Sequence, residues 1–139
     1  MSLVLDSSVA LTWCFEDERT NATIEVLGAV EQNAGIAPSL WPLEVQNALV
    51  MAERRKRLSE SQRHQLSNFL SALPVALDNE TAEQAWTVTT HLAERFRLTL
   101  YDAAYLELAH RTGLPLATLD LELRNAGSAL GVPLLGVTA

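Results

Sequence analysis

Cysteine is nearly absent from this chain. The single thiol, Cys14, rules out an intrachain disulfide, and its apolar surroundings, "LTWCF", predict a packed side chain rather than a reactive one. Long apolar runs are missing as well. Nothing approaches the roughly 20 residues that a membrane-spanning helix needs, and the opening residues, "MSLVLD", have neither the basic n-region nor the apolar stretch of a secretory leader. A cytoplasmic protein without a membrane anchor is expected. No set of Cys and His is spaced for zinc, and no G-x-G-x-x-G follows the first apolar segment, which argues against a dinucleotide-binding fold. Cations are scarce: 10 Lys and Arg stand against 17 Asp and Glu, for a net charge of −7. Lys56 is the only lysine. Such a balance argues against holding nucleic acid by bulk electrostatics.

What is present suffices for one core. At 139 residues and 48% hydrophobic, the chain is expected to form a single domain, 1–139. "SLVLD" reads as a short buried strand ending at Asp6, and "SSVALTWCF" as a helix entered through a Ser N-cap. A helical period runs from about Thr20 to Gln32, and "GIAPS" is a short strand or connector. "WPLEVQNALVMAERRKR" predicts a helix with Pro42 tolerated in its first turn. Ser59 and Gln62 form a capping-box pattern for the helix "SESQRHQLSNFLSAL". "PVALD" is a strand, "NETAEQAWTVTTHLAERF" a long helix, and "LTLYDAAYLELA" another, ended by Gly113 and Pro115. "PLATLD", "LELRNAGSAL" and "VPLLGV" complete the chain as strand, helix and strand. Short apolar strands alternating with helices, without hairpin turns, predict an α/β fold: a three-layer α/β/α sandwich around a mostly parallel sheet.

Four carboxylates stand in unusual positions. Asp6 and Asp120 each end a strand where a helix begins, the edge at which parallel sheets bind ligands. Asp102 lies about 140° from Glu107 and about 180° from Arg111 around a helix, so it shares a stripe with Leu106 and Ala109 rather than with the polar face. Glu44 likewise lies on a stripe with Ala48 and Met51. Each has a simple alternative: Asp6 and Asp120 can cap helices, and first-turn acids suit the helix dipole. Together they pose a harder problem, because clustered carboxylates repel one another unless a cation neutralises them. Oxygen-only ligands suit Mg²⁺ or Mn²⁺, and the chemistry such an ion supports with an acidic site is phosphodiester hydrolysis. Ser7, Ser8, Asn47 and Thr118 are polar neighbours placed to hold ligands or water.

Half of the cations fall in "ERRKRLSESQR". Arg54, Arg55, Lys56 and Arg57 read either as a solvated helix end or as a patch for phosphate. His64, His91 and His110 lie in helices among polar neighbours and are weak candidates for catalysis. Trp13, Trp41 and Trp86 sit at helical spacing, which predicts core positions.

The segments "LVLDSSVALTWCFEDE", "PLEVQNAL", "LTLYDAAYLELAHRTGLPLATLDLEL" and "GVPLLGV", in this order, resemble the PIN domain, and within it the VapC-type toxins of bacterial and archaeal toxin–antitoxin pairs. The resemblance implies an α/β/α sandwich and a Mg²⁺- or Mn²⁺-dependent endoribonuclease acting on RNA. It implies that Asp6, Glu44, Asp102 and Asp120 are the catalytic, metal-holding acids, with Ser7, Asn47 and Thr118 in support. It further implies a homodimer and a small cognate antitoxin that reaches into the acidic groove. The chain departs from many members in carrying Thr12 where they have Lys, and in its poverty of cations, which makes Arg54 to Arg57 the leading candidates for RNA contact. Two other readings stay open: a PIN-like module that binds RNA or a partner without cleaving, and a PIN nuclease outside toxin–antitoxin systems. A dehalogenase-like phosphatase would need an acid at Ser8. A receiver domain would need a lysine after the middle strand that holds Asp78, and none follows Lys56.

Overall fold

The computed structural model of the protein describes residues 2–138. Five strands form one sheet: β1 (Val4–Leu5), β2 (Gly35–Ala37), β3 (Val75–Leu77), β4 (Leu116–Ala117) and β5 (Leu134–Leu135). Their order is β3-β2-β1-β4-β5, and every pairing is parallel, not merely most of them. The helices are α1 (Ser7–Thr12), α2 (Asn21–Asn33), α3 (Trp41–Arg54), α4 (Glu60–Ala72), α5 (Thr81–Gln84), α6 (Val88–Phe96), α7 (Leu100–Thr112) and α8 (Leu121–Ala129).

The strand order explains the layering. From β1 the chain steps outward to β2 and β3, then returns past β1 to β4 and β5. With right-handed crossovers the outward and return helices fall on opposite faces. Accordingly α1 packs on α2 and α3, and α3 on α4, while α7 packs on α6 and α8. The reversal lies between β1 and β4, and the crevice outside their carboxyl ends is the natural ligand site of such a sheet.

The capping box of α4 forms as the sequence suggests, with Ser59 and Gln62 satisfying each other's backbone N–H. Other boundaries differ. The first helix starts after Asp6 rather than a serine and ends at Thr12, whose hydroxyl donates to the Val9 carbonyl at 2.6 Å. A 3₁₀ turn, Glu16–Glu18, follows. α3 stops at Arg54, and Lys56 turns left-handed at φ 61°, so of the basic run only Arg54 is helical and Arg55, Lys56 and Arg57 lie in the turn beyond. The expected long helix from Asn79 to Phe96 is two helices. The β-branched run Thr87–Thr90 loses side-chain freedom in a helix, Thr87 leaves helical geometry at φ −129°, ψ −93°, and the Thr90 hydroxyl bonds the freed Ala85 carbonyl at 2.7 Å. The break places Trp86 at the surface, 86% exposed, which corrects its core assignment; Trp13 and Trp41 are buried.

Leu3, Val4, Leu5, Val9, Leu106, Leu108, Leu116 and Leu123 form the centre of the core. α7 is its keystone, with every residue from Ala103 to Ala109 buried. That includes Glu107, which the helical wheel places on a polar face. Glu107 is buried because Arg111 caps it at 2.7 Å and also pairs with the buried Asp78 at 2.7 Å and with Glu80 at 3.0 Å. The polar face of α7 is thus an internal ion network that ties α7 to the end of β3. Cys14 is buried, and burial pushes its thiol up to about 11, as its apolar segment predicts. Among the described residues, no helix is long and apolar enough to cross a membrane.

Candidate metal centre

Asp6 leaves the end of β1 and is buried. Its backbone carbonyl starts α1, yet its side chain caps nothing. Instead Oδ2 accepts hydrogen bonds from Ser8 Oγ at 2.6 Å and from Thr118 Oγ1 at 2.7 Å. Thr118 Oγ1 in turn accepts from the Asp120 amide at 3.1 Å, and Ser8 Oγ from the Leu119 amide at 3.0 Å. The β1 and β4 ends are therefore laced together by hydroxyls around one carboxylate. Of the two sequence readings of Asp6, helix cap or site acid, the cap is removed.

Asp120 does cap. Its Oδ1 accepts from the Leu123 amide at 2.8 Å and opens α8. Glu44, in the first turn of α3, accepts from the phenol of Tyr105 on α7. Because α3 and α7 lie on opposite faces, this bond crosses over the short edge of the sheet. Asp102 sits in the first turn of α7, half-buried, its amide bonded to the Thr99 hydroxyl at 3.1 Å. The first turns of α3, α7 and α8 thus each present an acid at this edge, where helix dipoles favour negative charge.

The four acids feel one another. Burial raises the Asp6 carboxyl above its usual range, and the charge of Asp120 adds to this, against the lowering effect of the Ser8 and Thr118 bonds. Glu44 is raised by burial and by Asp6 and Asp102, with the Tyr105 bond opposing. Asp102 is raised by burial, then by Asp120 and Asp6. The Tyr105 phenol, buried beside Asp6 and Glu44, is raised far above its ordinary range and remains a donor. Clustered carboxyls, one buried and two half-buried, repel one another in a way that a cation would offset. Among the described residues, no three His, Cys, Asp or Glu side chains form a ready-made metal cage. The donor set nonetheless fits a hard divalent cation: all oxygen, anionic, and few in number, as suits an ion that keeps much of its water.

The supporting residues divide. Thr118 is buried and bonded to Asp6; the Ser7 hydroxyl lies beside Glu44 and Tyr105. Asn47 is exposed one turn beyond Glu44 and, among the described residues, is not bonded to the acids. In the basic cluster Arg57 is engaged by Asp17 at 3.1 Å and Glu18 at 2.7 Å and stacks over Phe15, so it is not free for phosphate. Arg54, Arg55 and Lys56 are exposed at the far end of α3, about 15 Å along the axis from Glu44 at 1.5 Å per residue. The three histidines are exposed. Sequence reasoning missed Tyr105. Its signal was present, since it lies on the same side of α7 as Asp102, three residues on, and a buried tyrosine hydroxyl needs a partner.

The PIN domain family profile matches residues 3–128. Ribonuclease VapC3 of Pyrobaculum aerophilum is 31% identical over 137 residues, covering 96% of this chain and 100% of that protein. Ribonuclease VapC1 of Mycobacterium tuberculosis is 31% identical over 105 residues, 76% of this chain and 77% of its own length. Among solved structures, PAE2754 from Pyrobaculum aerophilum superposes with a TM-score of 0.65 at 24% identity, over 91% of this chain and 84% of that one. VapBC2 from Rickettsia felis, solved with a fragment of promoter DNA, gives a TM-score of 0.66 at 11% identity, over 96% and 97%.

Proposed function

This chain belongs to the PIN domain family and is homologous to VapC ribonucleases, and from that premise we propose that it is a Mg²⁺- or Mn²⁺-dependent endoribonuclease, the toxin of a toxin–antitoxin pair. The observation that supports this reading is that buried Asp6 at the end of β1 and half-buried Glu44 and Asp102 in the first turns of α3 and α7, three separate elements, are near enough for the charge of Asp6 to raise the other two carboxyls. Asp6, Glu44 and Asp102 would hold the ion, with Asp120 at the margin because capping α8 occupies one of its oxygens. When bound, a divalent ion supplies polarisation of a phosphoryl oxygen and acidification of water. The chain's own part is positioning. Ser8 and Thr118 fix the Asp6 carboxylate, and Tyr105 holds Glu44 toward the edge. Arg54, Arg55 and Lys56, exposed at the end of α3, would follow flanking RNA phosphates. The relation to VapC ribonucleases supports a small antitoxin partner that would cover the acidic edge, and the protein would act in the cytoplasm as a homodimer.

Asp6→Asn, Glu44→Gln and Asp102→Asn are each expected to lower cleavage of an RNA substrate by at least about 100-fold while the circular dichroism spectrum is unchanged; wild-type rates in these variants would refute the assignment. A second reading is a binding module that does not cleave. Calorimetric titration with Mn²⁺ separates the two, since a binding-only module gives the same response for wild type and Asp102→Asn.

A further inference from the structure

A carboxylate offers two oxygens to a cation, and at this edge the protein engages one of them on most of its acids. Asp6 Oδ2 accepts from two hydroxyls, Ser8 at 2.6 Å and Thr118 at 2.7 Å, which uses both lone-pair directions of that oxygen. Glu44 gives Oε1 to the Tyr105 phenol, and Asp120 gives Oδ1 to the Leu123 amide at 2.8 Å. Asp102 is the least restrained, with the Thr99 hydroxyl beside its carboxyl. Asp6, Glu44 and Asp120 therefore each keep one oxygen in the protein's own bonds.

Tyr105 is the donor that packing alone does not explain. Its side chain is 0% exposed in the most buried stretch of α7, where a hydroxyl is unfavourable unless it finds an acceptor. The acceptor is Glu44 on α3, 61 residues away, so the two faces of the sheet are joined through a site carboxylate. Ser8 works in the same way on Asp6, and its oxygen is itself fixed by the Leu119 amide at 3.0 Å. Single-oxygen ligands do not serve all divalent cations alike. Ca²⁺ gathers about six to eight oxygens and makes use of carboxylates that chelate through both. The smaller Mg²⁺ requires near-octahedral geometry and keeps several waters beside one or two carboxylates. Mn²⁺ accepts the same octahedral oxygen set.

We infer that Tyr105 is a positioning residue that selects the ion: by keeping Glu44 to one ligand oxygen it sets the centre for a small octahedral cation and against Ca²⁺, and Ser8 does the same through Asp6. The inference rests on the metal-dependent reading and adds to it the side chains that choose the metal.

The test is calorimetric titration of the metal-free full chain with MnCl₂ and, separately, with CaCl₂. Wild type is expected to prefer Mn²⁺. Tyr105→Phe keeps the ring and removes only the hydroxyl, and it is expected to lower the ratio of Mn²⁺ to Ca²⁺ affinity about tenfold, the usual scale for losing a partner that orients a metal ligand. Ser8→Ala is expected to lower the ratio in the same direction. A residue that merely supports packing would shift the melting temperature and leave the ratio alone. An unchanged ratio in Tyr105→Phe overturns the inference, and so does a wild type that binds Ca²⁺ as tightly as Mn²⁺. If circular dichroism shows Tyr105→Phe unfolded, Ser8→Ala decides on the same ratio. A wild type that binds neither ion overturns the metal-dependent reading and the inference with it, so the two failures are told apart.

Discussion

At the scale of single residues, the acids carry an unfavourable charge arrangement that pH reveals. The Asp6, Glu44 and Asp102 carboxyls are raised above the ordinary carboxylate range, in each case by burial first. Between the unfolded and the raised folded values the native state binds more protons than the unfolded chain, so stability falls as pH rises through that window. Metal-free protein is therefore expected to lose melting temperature as pH climbs from about 4 toward neutrality, and the loss is kept above the folded values. Asp102→Asn is expected to flatten this profile and to raise the neutral-pH melting temperature by a few degrees. Adding Mn²⁺ should reverse the loss in wild type but not in the variant. A differential scanning series across pH, with and without the ion, checks both statements, and an unchanged slope in Asp102→Asn would refute the electrostatic account. The positions of these acids were legible as strand ends and apolar stripes. What Asp6 does was not, because its decisive partner, Thr118, is 112 residues away. The Tyr105–Glu44 bond was hidden for the same reason, at a separation of 61.

At the scale of elements, α7 is held at both ends by different physics. Its first turn carries Asp102 under a Thr99 cap, and its last turn carries Arg111, the hub of a network with Glu107, Asp78 and Glu80. Arg111→Ala leaves Glu107 and Asp78 buried without their cation, which costs about 3–5 kcal/mol. Urea unfolding is expected to show that loss, and a change below about 1 kcal/mol would mean that the network relaxes into water. Sequence pattern placed α2, α4 and α8 well, because each opens on a side-chain cap where its helical pattern begins. It misplaced the α5–α6 junction, where a run of β-branched residues outweighs helical periodicity, and it turned Glu107 outward because a helical wheel has no knowledge of what lies across from it.

For the whole molecule, alternation of short apolar strands with helices was sufficient to predict a parallel sheet with helices on both faces, since no other arrangement buries such strands. Strand order was not readable in that alternation; it emerges from which strands meet at the switch point, where the acids are. The proposed toxin role belongs to this scale too, because it concerns a surface and not a side chain. Expression of the protein alone is expected to arrest growth, with rescue by the small reading frame beside it and no arrest from the Asp6→Asn variant. Growth unaffected by wild-type protein at comparable abundance would place the nuclease outside such a pair.

The hydroxyl lacing between Asp6 and Thr118 has a consequence in time. Thr118 follows Asp6 by 112 residues and leaves the ribosome correspondingly later. A nascent chain must expose β4 before β1 can pair with it, and contacts of such separation form late in folding. Until then the acids are dispersed along separate segments with nothing to draw them together. The proposed nuclease would thereby lack its site until Thr118 has been synthesised, and a copy terminated before that residue would lack it permanently.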